Sequence, residues 1–504
     1  MKKQHKRLSR RRRAFVAAGI GSLLAGGTLV AAATASSATT RTSGRDTATA
    51  LKGNLSVFPW GAFSPSPATG TGSAQPYESY KTLVLPYEKA HPGVHISIIP
   101  PPTGAYQVWE DTVLSAGTAP SLLSPETANT PFQHTSWYLN LDKLVNEPDP
   151  YVAGNKPLRD SLQPVAIQSG SFNGGLWSLD ITAQDGAIFY NKSMFAKAGI
   201  KAVPVTWAQF LADAKKLKAD GFTPFGYDGG DVAVADPAAS LLYVLESNTM
   251  QPVFAKLSGQ AGKQVTVNEL RSAIQNGSFS VHSPGFAEAW ELLKTLSQYF
   301  QAGYVGACVS APSPTCAENA FANGSVAMTY TGQFAEPQFD AGKVGHNYGV
   351  FAVPQLTKAT WSAVSPLHQN TGVWGAWNAL AWSISADSAN HGQLPLAENF
   401  LQWLATPAHI NEFAAQKHTL PMTTNPPLGS GFQGQLNRLF LTSVTHPSPM
   451  SEAMVLLLGN GGGQSEQKLV QEYLDGQLSL GAALSQDETV LKSAAAQATW
   501  VSSH

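Results

Sequence analysis

The chain has 504 residues, 43% of them hydrophobic, which is enough to bury more than one core and to form two domains. Only 13% are charged and the formal net charge is −1, but the first 33 residues hold eight Lys or Arg and no acid, leaving 24 basic against 33 acidic side chains, a balance of −9. A body of that sign excludes a protein that seeks nucleic acid or anionic lipid through its surface charge.

Residues 1–35 read as an export signal. A basic stretch through Arg13 leads into an apolar run from residue 14 to residue 33, and Ala31-Ala32-Ala33 or Ala33-Thr34-Ala35 offers small residues for cleavage. The run is diluted by Gly19, Gly21, Gly26 and Gly27, which favours cleavage; retention as an anchor is the other reading, since about 20 apolar residues can span a bilayer. Arg12-Arg13-Ala14-Phe15-Val16 resembles the twin-arginine pattern, so that route stands beside the general one. Residues 36–53, mostly Thr, Ser, Ala and Arg, form a flexible leader, and no Cys follows the apolar run closely enough to take a lipid. The two cysteines, Cys308 and Cys316, are expected to pair across a Ser/Pro-rich loop, because an exported protein meets oxidising conditions and no His lies near enough to make a metal site.

Folding is expected to begin with a strand over residues 55–58, followed by Trp60, which either covers the strand end or meets a ligand. Residues 77–90 predict a helix with Tyr80, Leu83, Val84 and Tyr87 on one side, kinked or split by Pro86. A strand over 95–99 and a helix over 105–116, closed by Gly117, come next. Glu126 sits in the loop that follows, either as an acceptor for hydroxyls or as a solvated acid.

Residues 186–190 are a short apolar run that predicts a buried strand. A short helix follows, capped by Asn191 or Ser193, with Met194 and Phe195 inward and Gly199 as its left-handed stop. A second helix opens on a capping box of Thr206 and Gln209, carries Trp207, Phe210, Leu211, Ala214 and Leu217 at helical spacing, and closes at Gly221. In the loop 226–231, Tyr227 and Asp228 combine a ring with a carboxylate, which suits a sugar; a turn with exposed acids is the alternative.

Helices are predicted over 237–246, 267–275 and 284–302, the last with Trp290 in its core-facing row. Residues 320–328 read as a helix end turning into a strand, 348–354 and 379–385 as strands, and Trp382 as packing. Phe400, Leu401, Leu404, Ile410 and Phe413 face inward from two helices. The tail 467–497 predicts helices capped near Ser465 and Ser479, with Tyr473 and Leu484 inward, and the glycines of 459–463 read as a flexible loop.

The run Phe189-Tyr190-Asn191-Lys192, then Ala198-Gly199-Ile200, then Pro204-Val205-Thr206-Trp207 resembles the signature of the extracellular solute-binding proteins that serve bacterial sugar-import ABC transporters, the class that includes maltodextrin-binding proteins. The resemblance spans roughly residues 54–500. It implies a two-lobed α/β fold of the periplasmic-binding-protein type II kind, each lobe a sheet flanked by helices, with three crossings between them. Lobe 1 would hold 54–179 plus 356–420, and lobe 2 would hold 180–355 plus 421–504. It also implies an exported monomer, in the periplasm or at the outer face of the membrane, that binds a mono- or oligosaccharide between its lobes and delivers it to permease subunits, without cofactor, metal or nucleic acid.

Ligand contacts fall, on this resemblance, at Trp60, Glu126, Asp185, Tyr227, Asp228, Gln333, Phe334, Trp374 and Trp377, the last two in the Gly-rich loop 371–377. The chain departs from the pattern at Ser121, where relatives usually have Asp after the proline, and at Phe334, where they usually have Trp. Catalytic motifs are missing: no Gly-x-Ser-x-Gly elbow in a strand–turn–helix setting, no His-Glu-x-x-His, no phosphate loop with Lys and no dinucleotide fingerprint. A binder is therefore expected, with a carrier of some non-sugar solute, or a glycan-active enzyme with two carboxylates on its cleft wall, as the rival readings.

Overall fold

A computed structural model describes residues 51–59, 80–99, 106–125, 130–184, 186–229, 237–259, 264–306, 316–364, 377–445 and 451–498. The export segment and the leader up to residue 50 therefore lie outside the described residues, and the leader ends before Gly53, which opens the first strand.

Among the described residues, twelve strands run in chain order: β1 (Gly53–Phe58), β2 (Val94–Ile98), β3 (Leu122–Leu123), β4 (Ser171–Phe172), β5 (Gly175–Leu176), β6 (Leu179–Gln184), β7 (Gly186–Asn191), β8 (Thr223–Gly226), β9 (Val326–Gly332), β10 (Tyr348–Phe351), β11 (Trp377–Ile384) and β12 (Leu420–Pro421). They sort into a six-stranded sheet of order β12-β6-β11-β3-β1-β2, a four-stranded sheet of order β10-β7-β9-β8, and the small hairpin β4-β5. The parallel pairs β1–β2, β1–β3 and β8–β9 need crossover connections, while the antiparallel β6, β7, β10, β11 and β12 carry the chain back and forth.

Sequence chemistry accounts for the elements. Asn191 caps helix Lys192–Lys197 through the Met194 N–H, and Gly199 takes the left-handed φ of 67° beyond it. Thr206 and Gln209 form both halves of a capping box on helix Trp207–Ala219. Pro86 splits its helix: five residues, Tyr80–Val84, wind as a π-helical turn, and the regular helix Leu85–Ala90 starts with Pro86 in its first turn, where a missing N–H costs no hydrogen bond. The hairpin β4-β5 turns on Asn173 and Gly174, both at positive φ, as an Asn-Gly hairpin turn requires.

Three expectations are corrected. Helix Pro284–Ser297 stops short of residue 302, because Phe225 accepts a backbone hydrogen bond from Gln301 and donates one to Tyr299, drawing that segment to the edge of β8. The glycines of 459–463 lie within helix Ser451–Leu474, which bends at Gly459 (φ 55°, ψ −172°) where only glycine is comfortable. Ser465 lies inside that helix rather than capping it, whereas Ser479 does cap helix Leu480–Gln497.

Strand β7 buries both faces. Ile188 packs into a core with Trp207, Phe210, Phe225 and Trp290, while Ala187 and Phe189 point the opposite way into a core shared with Leu55, Val57, Ile181 and Trp382. Phe189 meets Phe339 at 5.3 Å, Tyr348 at 6.0 Å and Phe432 at 6.4 Å between ring centroids. Gly349, opposite Tyr190, is a glycine for a steric reason: a Cβ there would stand 2.5 Å from the Tyr190 ring.

Beneath the four-stranded sheet, the helical layer encloses three carboxylic acids, Glu246, Glu466 and Asp487, each no more than 2% exposed. Tyr243 donates to Glu466, and the Trp290 indole donates to Glu246 at 3.0 Å. Burial pushes all three carboxyl groups up, Glu466 to about 7, and their mutual repulsion adds to the shift of Glu246 and Asp487. A carboxyl whose folded value is raised binds its proton more tightly when folded, so its contribution is full below the ordinary carboxylate range and lost as pH climbs to about 7. Urea unfolding is expected to give lower stability at pH 8 than at pH 5, and Glu466→Gln, which keeps the Tyr243 bond without the titration, is expected to flatten that slope by about 1 kcal/mol or more per pH unit between pH 5 and 7.

Candidate functional site

Strand register places the described contact positions at the ends of strands in two sheets. On the six-stranded sheet, Phe58 ends β1 opposite Leu123 of β3, and Ser383 of β11 pairs with Leu123. The strands β6 and β11 overshoot that level together, with Gln184 paired to Trp377. On the four-stranded sheet, Gly186 opens β7 opposite Gly332 at the end of β9, and β8 ends beside them at Gly226. The chain passes from β6 to β7 across residue 185 alone, so the two edges adjoin at a single-residue crossing. Gly186 is required there: a Cβ would fall 2.2 Å from the Tyr330 hydroxyl oxygen.

Trp60, Glu126, Asp185, Trp374 and Cys308 lie outside the described residues, and so does the ring of Trp377, whose backbone opens β11. Phe334 follows β9 with its ring 43% exposed at this edge. Tyr227 is corrected: it is 2% exposed, with its ring stacked on Phe300 at 4.3 Å and 6°, closed into the core rather than turned to a ligand. Burial raises its phenol far above the ordinary value. Gln333 is corrected likewise: it is fully buried, and its Nε2 donates to the His418 carbonyl. Asp228 accepts the Ala317 N–H at 2.6 Å, which commits one carboxylate oxygen to the start of helix Ala317–Ala322. Cys316, just before that helix, is 5% exposed.

A groove of about 290 Å³, missed by sequence reasoning, lies between the β4-β5 hairpin and the helical layer beside it. One wall comes from the β4-β5 hairpin and from Phe132, six residues beyond the Glu126 loop position; the other comes from the start of helix Val267–Asn276 and from helix Ser451–Leu474. Its polar groups are amides and hydroxyls, among them Gln168, Ser171, Thr266 and Asn268, and among the described residues no charged one lines it. Phe132 and Phe172 stack at 4.8 Å on one wall, and Asn268 presents a buried Oδ1 without a hydrogen-bond partner among the described residues. A larger recess of about 580 Å³ is lined by Tyr151, Trp403, His409 and Thr423, among others.

Residues 71–410 match the family described as bacterial extracellular solute-binding protein, about two thirds of the chain. The chain belongs to that family. A binding protein of Brucella abortus is 23% identical over 337 residues, covering 64% of this chain and 74% of its own length. The multiple sugar-binding protein of Streptococcus mutans is 24% identical over 338 residues, covering 66% and 69%. Among solved structures, a chitin oligosaccharide binding protein superposes with a TM-score of 0.63 at 17% identity, covering 88% of this chain and 99% of that one. The GacH receptor of Streptomyces glaucescens superposes with a TM-score of 0.60 at 19% identity, covering 89% and 99%. At such identities the likeness establishes the two-lobed fold, and the family and its neighbours are binding proteins, not enzymes.

The split between edge and core predicts a contrast. Tyr227→Ala is expected to cost about 3–5 kcal/mol of stability, as other buried-ring truncations do, measured by urea unfolding. Phe334→Ala should leave stability within about 1 kcal/mol, because its ring is already half in water. Gly186→Ala is expected to destabilise by about 1–3 kcal/mol through overpacking against Tyr330.

Proposed function

We propose that this solute-binding protein is the exported substrate-binding component of an ABC importer, and that it takes a mono- or oligosaccharide between its lobes and delivers it to membrane permease subunits. One observation carries the reading: among the described residues, the groove is lined by rings, aliphatic side chains, amides and hydroxyls and by no charge. A neutral polyol offers hydroxyls to amide groups and a C–H face to rings, whereas a polyamine or a metal complex would need carboxylates there. The kinship with sugar-binding relatives supports this, since proteins of this fold carry chitin oligosaccharide, acarbose, raffinose or maltose by their own descriptions.

On this proposal the lobes are 54–179 plus 356–420 and 180–355 plus 421–504, and the protein acts as a monomer in the periplasm or at the outer face of the membrane after loss of residues 1–35. Cys308 and Cys316 pair locally, and Trp60, Glu126, Asp185, Phe334, Trp374 and Trp377 complete the cleft at the strand ends. Binding favours the closed arrangement by the amount that a ligand touching both lobes prefers it over the open one.

Titration calorimetry against a panel of neutral mono- and oligosaccharides is expected to give saturable heat with at least one. Trp374→Ala and Trp377→Ala should weaken that binding tenfold or more, about 1.4 kcal/mol each. Silence across the panel together with heat from an amino acid, a polyamine or a metal chelate would overturn the carbohydrate assignment.

A further inference from the structure

Two side chains on the four-stranded-sheet side clasp one residue on the other side, close to the crossing. Gln333, directly after β9, donates from Nε2 to the backbone carbonyl of His418. Glu336, three residues on and first in helix Glu336–Ala341, places Oε2 3.4 Å from Nδ1 of the same His418. His418 ends helix Pro407–Lys417, which packs against β12 and β6 of the six-stranded sheet, and leads into β12. It holds a left-handed φ of 56°, one of three non-glycine residues to do so among the described residues. That conformation is sparsely populated for a residue with a Cβ and persists where surrounding contacts over-determine it. Here it closes the helix, with the Thr419 N–H donating to the Ala414 carbonyl at 2.9 Å, and Gln333 and Glu336 hold the capped residue from the other side. Both are buried, with side-chain exposure of 4% for Glu336 against 38% for His418, so the clasp is sealed on one side and open to protons on the other.

We propose that Gln333, Glu336 and His418 form a proton-operated latch across the crossing, in which a protonated His418 grips Glu336 and fixes the angle between the lobes, and a neutral His418 lets that angle vary. An ionised donor and acceptor bond about twice as strongly as a neutral pair, and the seat of Glu336 away from water strengthens the attraction further. The groups facing His418 are few: Glu336 at contact distance, Asp340 farther along the same helix, and Gln433 from helix Gly431–Thr445. Its chain neighbour Lys417 is held down to about 8 by burial. The bond to Glu336 raises the imidazole above its ordinary value, against the opposing effect of burial, and burial raises Glu336 from its own. The grip is therefore present while Glu336 is ionised and His418 protonated, and it is lost as pH rises through the raised imidazole value. The latch needs no particular ligand, so it stands or falls apart from the saccharide assignment.

Spin labels on Ser115→Cys and Lys215→Cys, exposed positions on the two sides, report the interlobe distance by double electron–electron resonance. Without ligand, the distribution is expected to be narrow at pH 5.5 and at least half as wide again at pH 8, while Glu336→Gln and His418→Gln are wide at both. An unchanged width between the two pH values in the parent, or a pH response retained in Glu336→Gln, would overturn the latch. Should the variants fold poorly, an NMR titration of His418 in the unmodified chain decides: a midpoint above the ordinary imidazole value supports the latch, and one at or below it refutes it.

Discussion

Strand β7 has to bury both of its faces at once, and much of the architecture follows from that demand. Successive residues of a strand point to opposite sides, so Ile188 enters one core while Ala187 and Phe189 enter another. One core lies on one face of the four-stranded sheet and the other joins its opposite face to the six-stranded sheet, so this six-residue strand contributes to both immediately after the crossing. Because β6 and β7 are separated by residue 185 alone, the backbone has little slack with which to separate the sheets. Relative motion of the lobes must then be absorbed by changes at a few residues, which is how hinges between rigid bodies generally work.

The fold was largely legible in the sequence, for reasons that can be named. The capping box at Thr206 and Gln209, the asparagine cap at Asn191 and the left-handed glycines at 199 and 221 are local signals whose geometry depends on neighbours within four residues. Those signals survived intact. What sequence reasoning misplaced depended on distant partners. The glycines at 459–463 favour a loop locally, but burial of Met454, Leu457, Leu458 and Leu469 on either side holds them in a bent helix. The end of helix Pro284–Ser297 was set by β8, some seventy residues earlier in the chain.

The binding region was legible as a place and less so as a set of side chains. Tyr227 and Gln333 follow the ends of β8 and β9 in the four-stranded sheet. Position along a strand does not fix which way a side chain turns, however, and both turned inward: Tyr227 to stack on Phe300, Gln333 to reach the His418 carbonyl. The groove residues Gln168, Thr266 and Asn268 carried no sequence signal, since isolated amides and hydroxyls at helix ends are ordinary surface chemistry until the fold brings them opposite one another.

The trio of enclosed acids under the four-stranded sheet has an effect on how the native protein behaves as an ion. With the carboxyl groups of Glu246 and Asp487 raised by burial and Glu466 brought to about 7, the folded body holds protons that its unfolded chain would release, and it is less negative than the count of its residues implies. It should leave an anion exchanger earlier than its composition suggests. Denaturation at neutral pH frees those protons to the buffer, so the heat measured in a calorimeter will contain the buffer's own ionisation enthalpy.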